Sequence, residues 1–270
     1  MSAFEVFQAI ILGLVEGLTE FLPISSTGHL IIAGDLLKYT GDQAKTFSIV
    51  IQLGAILAVC WHYRDRLRAI LATLLASRTS QRLVFHLFLA ICPSALLGLA
   101  LHSLIKKHLF TPFTVAIALI AGGFIILLVE RKERSARVTS MEELTWIDAL
   151  KLGFAQAVSL IPGVSRSGAT IIGGLLFGLS RHAATEFSFF LAIPTMFLAT
   201  GYDLFSSWDT LSSHDLPFFL IGFVVAFASA LVAIRGLLWY VAHHDFRAFA
   251  YYRIVFGLIV LGYFLLIAQS

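Results

Sequence analysis

Charge is what this sequence has least of. Of 270 residues only 13% are Asp, Glu, Lys or Arg, about half of the roughly one-quarter usual in soluble domains. With 59% apolar residues and a mean hydropathy of +0.89, too few polar side chains remain to clothe a water-soluble globule. That excludes a soluble enzyme, a nucleic-acid-binding protein and a disordered chain. Cysteine is scarce too: Cys60 and Cys92 lie in apolar runs without metal-like spacing and read as small hydrophobes in packed helices. No basic residue precedes Lys38, so no cleavable signal peptide is expected. Ser2-Ala3-Phe4-Glu5 reads instead as a capping box opening a first helix.

What is present is apolar sequence in long runs. Six stretches free of Asp, Glu, Lys and Arg approach the ~20 residues a spanning helix needs: 46–63, 83–105, 108–129, 187–202, 216–234 and 254–270. The fourth is short and gains its missing turn from His182–Glu186. Two more apolar regions are interrupted, 6–34 by Glu16, Glu20 and Pro23, and 152–180 by Pro162, Gly163 and Arg166. Their uncharged pieces 21–34, 152–165 and 167–180 reach only about 21 Å as helix, short of the ~30 Å hydrocarbon core. Each region is expected to be a re-entrant helical hairpin.

A shift of 140 residues superimposes the two interrupted regions. Ala9, Leu12, Gly13, Ser25, Gly28, Ile31, Ile32, Gly34, Leu36, Ala44, Phe47 and Ser48 meet identical residues. Ser94-Ala95-Leu96 meets Ser229-Ala230-Leu231 at a slightly smaller shift. The chain is therefore expected to be a single all-α polytopic membrane domain, 1–270, built from repeats 1–135 and 140–270. Each repeat holds one hairpin and three spans, and an odd number of spans inverts the second repeat. Such repeats place a site near the midplane, where broken helices meet.

The basic residues set an orientation. Loops 64–82, 131–148 and 235–253 carry most of the 19 Lys and Arg, while Lys38, Lys45, Lys106 and Lys107 are alone on the opposite face. The first face is expected to be cytoplasmic, with both termini outside. Leu67, Ile70, Leu71, Leu74 and Leu75 among arginines suggest an interfacial helix.

The two hairpin tips carry the chemistry. The first reads Glu16-Gly-Leu-Thr-Glu20-Phe-Leu-Pro-Ile-Ser25-Ser26-Thr27-Gly28-His29. Glu16 and Glu20 share a helix face, and a divalent cation, a shared proton or Arg166 can each compensate them. Ser25–Gly28 is a hydroxyl-rich turn that presents backbone N–H groups to an anion, with His29 near enough to act as acid, base or nucleophile. The second tip, Pro162-Gly-Val-Ser165-Arg166-Ser167-Gly168-Ala-Thr170, repeats the turn and puts a guanidinium where the first has Ser26. Gln156 replaces Glu16, so the tips divide labour: metal and nucleophile on one, phosphate on the other. Close helix packing accounts for isolated Ser, Thr and Gly in membranes, and a buried Glu–Arg pair can be purely structural. The concentration of all these groups at mirrored tips favours an anion site. Glu186 caps the fourth span or faces the hairpin, and the other histidines, in loops or near span ends, are assigned no role.

At these two motifs the sequence resembles the undecaprenyl-diphosphate phosphatase family, also called bacitracin-resistance proteins, over nearly its whole length. The resemblance implies removal of the terminal phosphate from a C55 polyprenyl diphosphate, recycling the lipid carrier of cell-wall synthesis. It also implies a divalent cation, Mg²⁺ or Ca²⁺, a bacterial inner-membrane location, and a site open to the outer face. The residues suit that reaction. Glu20 with Glu16 can hold a metal; Arg166 with Ser165, Ser167, Gly168 and Thr170 can hold phosphate, as can Ser25, Thr27 and Gly28. Ser26 is the expected nucleophile, activated by His29, with direct attack by His29 or by a metal-bound water as alternatives. The expected partners are the lipid substrate and the surrounding bilayer, and a homo-oligomer is compatible with the pattern. A flippase or anion transporter working by alternating access is the competing reading, favoured by the inverted repeat alone.

Overall fold

The structure, a computed structural model, describes residues 1–109, 111–132, 135–206 and 215–267. Among these the chain is helical, in the order α1 Ala3–Thr19, α2 Ser26–Leu36, α3 Asp42–His62, α4 Arg64–Thr73, α5 Arg78–His108, α6 Pro112–Glu130, α7 Trp146–Val158, α8 Arg166–Leu176, α9 Arg181–Ser206, α10 Leu216–His243 and α11 Arg247–Ile267.

Six helical stretches are long and apolar enough to cross a membrane: Gln43–His62, Arg78–Leu101, Pro112–Glu130, Arg181–Asp203, Leu216–His243 and Arg247–Leu266. Each expected span falls on one of them. The fourth extends back to Arg181, supplying the turns that 187–202 lacks. The sixth begins at Arg247 rather than 254, because Arg253, expected in a loop, lies inside α11. A charge-free search stops at such a residue. The loop expected over 235–253 shrinks accordingly, since α10 runs on to His243.

The two interrupted regions form short helix pairs. The first helix opens with the expected capping box, Glu5 N–H donating to Ser2 Oγ and Ser2 N–H to Glu5 carboxylate. It ends at Thr19, four residues before Pro23, with Glu20 as its C-cap. The chain then turns through residues 20–25 and restarts as α2. The second pair opens with a Thr145–Asp148 capping box and breaks between Val158 and Arg166.

Two helix pairings are related by the 140-residue shift, α1 with α10 and α7 with α5. In addition, α3 packs on α10 and on α9, and α6 packs on α11. At the first crossing a Cβ on Gly13 would lie 2.6 Å from Gly222 O; at the second a Cβ on Gly153 would lie 2.6 Å from Ala90 O. Only glycine lets the backbones approach this closely.

Ion pairs tie three loops together at one end of the bundle. Arg66 of α4 reaches both Glu142 and Glu186 at 2.5 Å, which gives Glu186 a structural partner away from the tips. Glu130 takes Arg181 at 2.5 Å and the backbone N–H of Phe246 at 3.0 Å. The α4 helix buries none of its residues; Leu71 is exposed on it and Leu75 just after it, as an interfacial helix requires.

Candidate active site

The two breaks meet in the interior. Ser25 (φ 70°) and Ser165 (φ 74°), 140 residues apart, both hold the left-handed region that non-glycine residues seldom occupy and that costs on the order of 1–3 kcal/mol each. The positive φ turns the chain sharply enough to start α2 and α8 directly after each break. Strain at two corresponding serines marks the turns as built for a purpose beyond packing.

Between the turns lies a cavity of about 120 Å³, lined by Glu20, Ser25, Ser26, Thr27, Gln52, Ser159, Pro162, Gly163, Ser165 and Arg166. Glu20 is its centre. One carboxylate oxygen accepts the Ser26 hydroxyl at 2.5 Å, and the other accepts Arg166 Nη2 at 3.2 Å. Arg166 also donates to Ser188 O at 3.1 Å, and its guanidinium lies 5.8 Å from the centroid of the Phe21 ring. Its Nε has no partner, so the fork keeps spare donor capacity. Of the expected compensators, Arg166 pairs directly with Glu20.

Several expected site residues anchor the tips to each other or to neighbouring helices and do not line the cavity. Ser167 donates across to Leu22 O at 2.8 Å, and Thr170 donates to Arg166 O at 2.9 Å while its oxygen accepts the Ser188 hydroxyl at 2.7 Å. Added side-chain atoms at Gly28 would meet Leu119 at 3.1 Å, and at Gly168 would meet Arg253 Nη1 at 3.0 Å. These four position the turns. Ser165 lines the cavity, but its hydroxyl accepts Gly168 N–H at 3.0 Å as an N-cap. Ser25 makes no such cap, so the first-turn amides of α2 are not met by that side chain.

His29 is held by α11 and by its own turn. Its Nδ1 lies 2.8 Å from Ser25 O and its Nε2 2.6 Å from the Tyr252 hydroxyl, with the ring stacked on Phe256 at 4.0 Å. A carbonyl only accepts, so Nδ1 carries the proton, and the neutral ring's Nε2 accepts from Tyr252. Both nitrogens are committed. The base in contact with Ser26 is Glu20, while the partners of the His29 ring nitrogens are Ser25 O and the Tyr252 hydroxyl.

Sequence reasoning missed Gln52, Ser159, Tyr252 and Arg253. Ser159 had a signal, since it corresponds to Thr19 under the shift. Gln52 had one as a lone amide in an apolar span. Glu16, expected beside Glu20, does not line the cavity: it is buried, with Oε1 unpartnered.

Residues 9–259 match the family described as Bacitracin resistance protein BacA. The chain belongs to this family. A relative from Methylobacillus flagellatus, named undecaprenyl-diphosphatase, is 57% identical over 269 residues, covering 98% of this chain and all of the relative. Relatives of the same name from Aromatoleum aromaticum and Dechloromonas aromatica are 58% and 57% identical, covering 94% and 97% of this chain and 93% and 96% of theirs.

For this family member a metal requires donors, and the donor set is modest. Among the described residues no group of three or more His, Cys, Asp and Glu stands together, so a closed protein cage is not formed. Mg²⁺, however, commonly takes one or two carboxylates and completes its shell with water and phosphate. Glu20 in the cavity and the unpartnered oxygen of Glu16 fit that pattern.

Proposed function

We propose that the protein hydrolyses undecaprenyl diphosphate to undecaprenyl phosphate and inorganic phosphate, recycling the lipid carrier and conferring bacitracin resistance. Family membership and relatives named undecaprenyl-diphosphatase along essentially the full length support the activity. The observation that carries the mechanism is the Ser26–Glu20–Arg166 chain. A hydroxyl within 2.5 Å of a carboxylate is a nucleophile beside its base, and an arginine fork is suited to phosphate oxygens.

The terminal phosphate sits at the N-terminus of α2, held by first-turn amides and by Arg166, in reach of the Ser26 hydroxyl. Glu20 takes the proton as Ser26 Oγ bonds to the terminal phosphorus and the bridging P–O bond breaks. Undecaprenyl phosphate leaves with that proton, passed on from Glu20. The freed Glu20 carboxylate then deprotonates a water that bonds to the phosphorus. The P–O bond to Ser26 Oγ breaks, and Glu20 returns the proton to Ser26 as phosphate departs. Glu20, with Glu16 behind it, would hold a divalent cation, which when bound supplies charge neutralisation for the diphosphate. Phosphoryl transfer depends chiefly on such neutralisation and on positioning.

The two helix pairs are read as re-entrant hairpins within inverted repeats 1–135 and 140–270, supported by the matched crossings at Gly13 and Gly153 and the matched strain at Ser25 and Ser165. The protein resides in the bacterial inner membrane, termini and site facing outward. The repeat also favours a second reading, alternating-access transport of a lipid phosphate. Purified protein in detergent, given the C55 diphosphate with and without EDTA, decides between them, because detergent abolishes transport and leaves hydrolysis. Phosphate release suppressed by EDTA is the expected result; no release sinks the hydrolase reading.

A further inference from the structure

Arg253 is the largest fully buried side chain among the described residues. A cation this deep in a membrane helix is costly unless compensated, yet its guanidinium donates to five backbone carbonyls. Nη1 reaches Pro23 O at 3.1 Å and Val164 O at 2.9 Å; Nη2 reaches Gly163 O and Ala118 O, both at 3.1 Å; Nε reaches Leu119 O at 3.3 Å. Three of those carbonyls belong to the two breaks, one or two residues before Ser25 and Ser165. Room for the fork comes from Gly122 and Gly168, where a Cβ would lie 2.2 and 3.0 Å from its nitrogens. The preceding residue on the same helix, Tyr252, holds His29, and His29 holds Ser25 O.

We propose that Tyr252 and Arg253 are positioning residues for the reaction, a brace from α11 that fixes both strained turns and hence the placement of Ser26 against Arg166. Neither lines the cavity. The left-handed φ of Ser25 and Ser165 persists only where surroundings over-determine it, and the carbonyls just before them are where the brace attaches. The fork spans both tips at once, which a single-donor side chain cannot do, so lysine is a poor substitute. This inference rests on the hydrolase reading.

The test measures phosphate release from C55 diphosphate by monodisperse, detergent-purified full-length wild type, Ser26→Ala, Arg253→Lys and Tyr252→Phe, with thermal unfolding midpoints alongside. Misplacing reacting groups by about 1 Å costs roughly 100-fold in rate, so Arg253→Lys is expected to lose about that in kcat per folded molecule, with KM near the wild-type value. Tyr252→Phe, which removes one half-exposed hydroxyl, is expected to lose kcat to a smaller degree, again with KM and midpoint unchanged. A purely structural brace would lower the midpoint and leave kcat per folded molecule intact, and that result overturns the proposal. If Arg253→Lys does not fold, Tyr252→Phe decides alone: an unchanged kcat overturns the brace. An inactive wild type instead removes the underlying hydrolase reading, and wild-type activity lost in Ser26→Ala but kept in both brace variants removes the brace only.

Discussion

Ser26 and Ser167 are both small buried hydroxyls near the cavity, and their bonds separate them. Ser26 gives its proton to Glu20, whereas Ser167 gives its to a backbone carbonyl of the opposite tip. Ser26→Ala is expected to lose at least about 1,000-fold in kcat with its unfolding midpoint unchanged, as for other hydrolase nucleophiles. Ser167→Ala is expected to retain most activity per folded molecule and to lose about 1 kcal/mol of stability, the usual worth of a buried hydrogen bond. Equal losses of activity would refute the division. Glu20→Gln removes the base and leaves Arg166 buried beside a neutral amide, so a loss of about 100- to 10,000-fold is expected from phosphate-release assays. At this scale the sequence told which residue types gather but not where they point. His29 is near Ser26 in sequence and on the same helix face, yet its ring bonds Tyr252 and stacks on Phe256 of α11, more than two hundred residues away. Only the packing of α11 against α2 reveals that.

Helices are more legible than side chains because apolar run length and capping are local. Six spans and the Ser2–Glu5 cap were readable directly. The run ends were not: Arg253 truncates a run by its charge, although the five carbonyls around it let the helix continue. The crossings make a testable claim about elements. Gly13 and Gly153 occupy corresponding positions against α10 and α5, so Gly13→Leu and Gly153→Leu are expected to destabilise by similar amounts, about 1–3 kcal/mol, typical of overpacking. Thermal unfolding in detergent checks it, and a silent change at either site would refute the matched crossings. A second claim concerns the start of α7. Burial pushes the Asp148 carboxyl up, but the Arg137 guanidinium and the Thr145 hydroxyl and amide outweigh it and leave it below the usual carboxylate value. Its contribution is therefore complete above the unfolded value near ~3.9 and fades as pH falls through the folded one. Asp148→Asn is expected to be less stable than wild type by about 1 kcal/mol at neutral pH, as for a lost cap. The two should converge in strong acid.

For the whole molecule the open matter is which end faces the cytoplasm, and charge argues it more firmly than fold. The ion pairs among Arg66, Glu142 and Glu186 and between Glu130 and Arg181, with the Arg247 guanidinium on the Glu130 backbone carbonyl, gather these segments at one end. That end also carries exposed Arg64 and Arg68 on α4. Moving Arg253 from a loop to the tips reduces the basic count there by one, which leaves the asymmetry intact because the opposite end still offers only Lys38, Lys45, Lys106 and Lys107. The positive-inside rule counts Lys and Arg near span ends and ignores acids, so the partnering of several arginines with carboxylates does not weaken it. Single cysteines are placed at Ala136, in the basic end, and at Lys107, in the other, with Cys60 and Cys92 replaced by serine. In intact cells Lys107→Cys is expected to react with a membrane-impermeant maleimide, and Ala136→Cys only after permeabilisation. The site lies between two turns that neither end monopolises, so its access route follows from this result and not from the bundle alone. Labelling of Ala136→Cys from outside would reverse the molecule in the membrane and require the lipid diphosphate to reach Ser26 from the cytoplasmic leaflet.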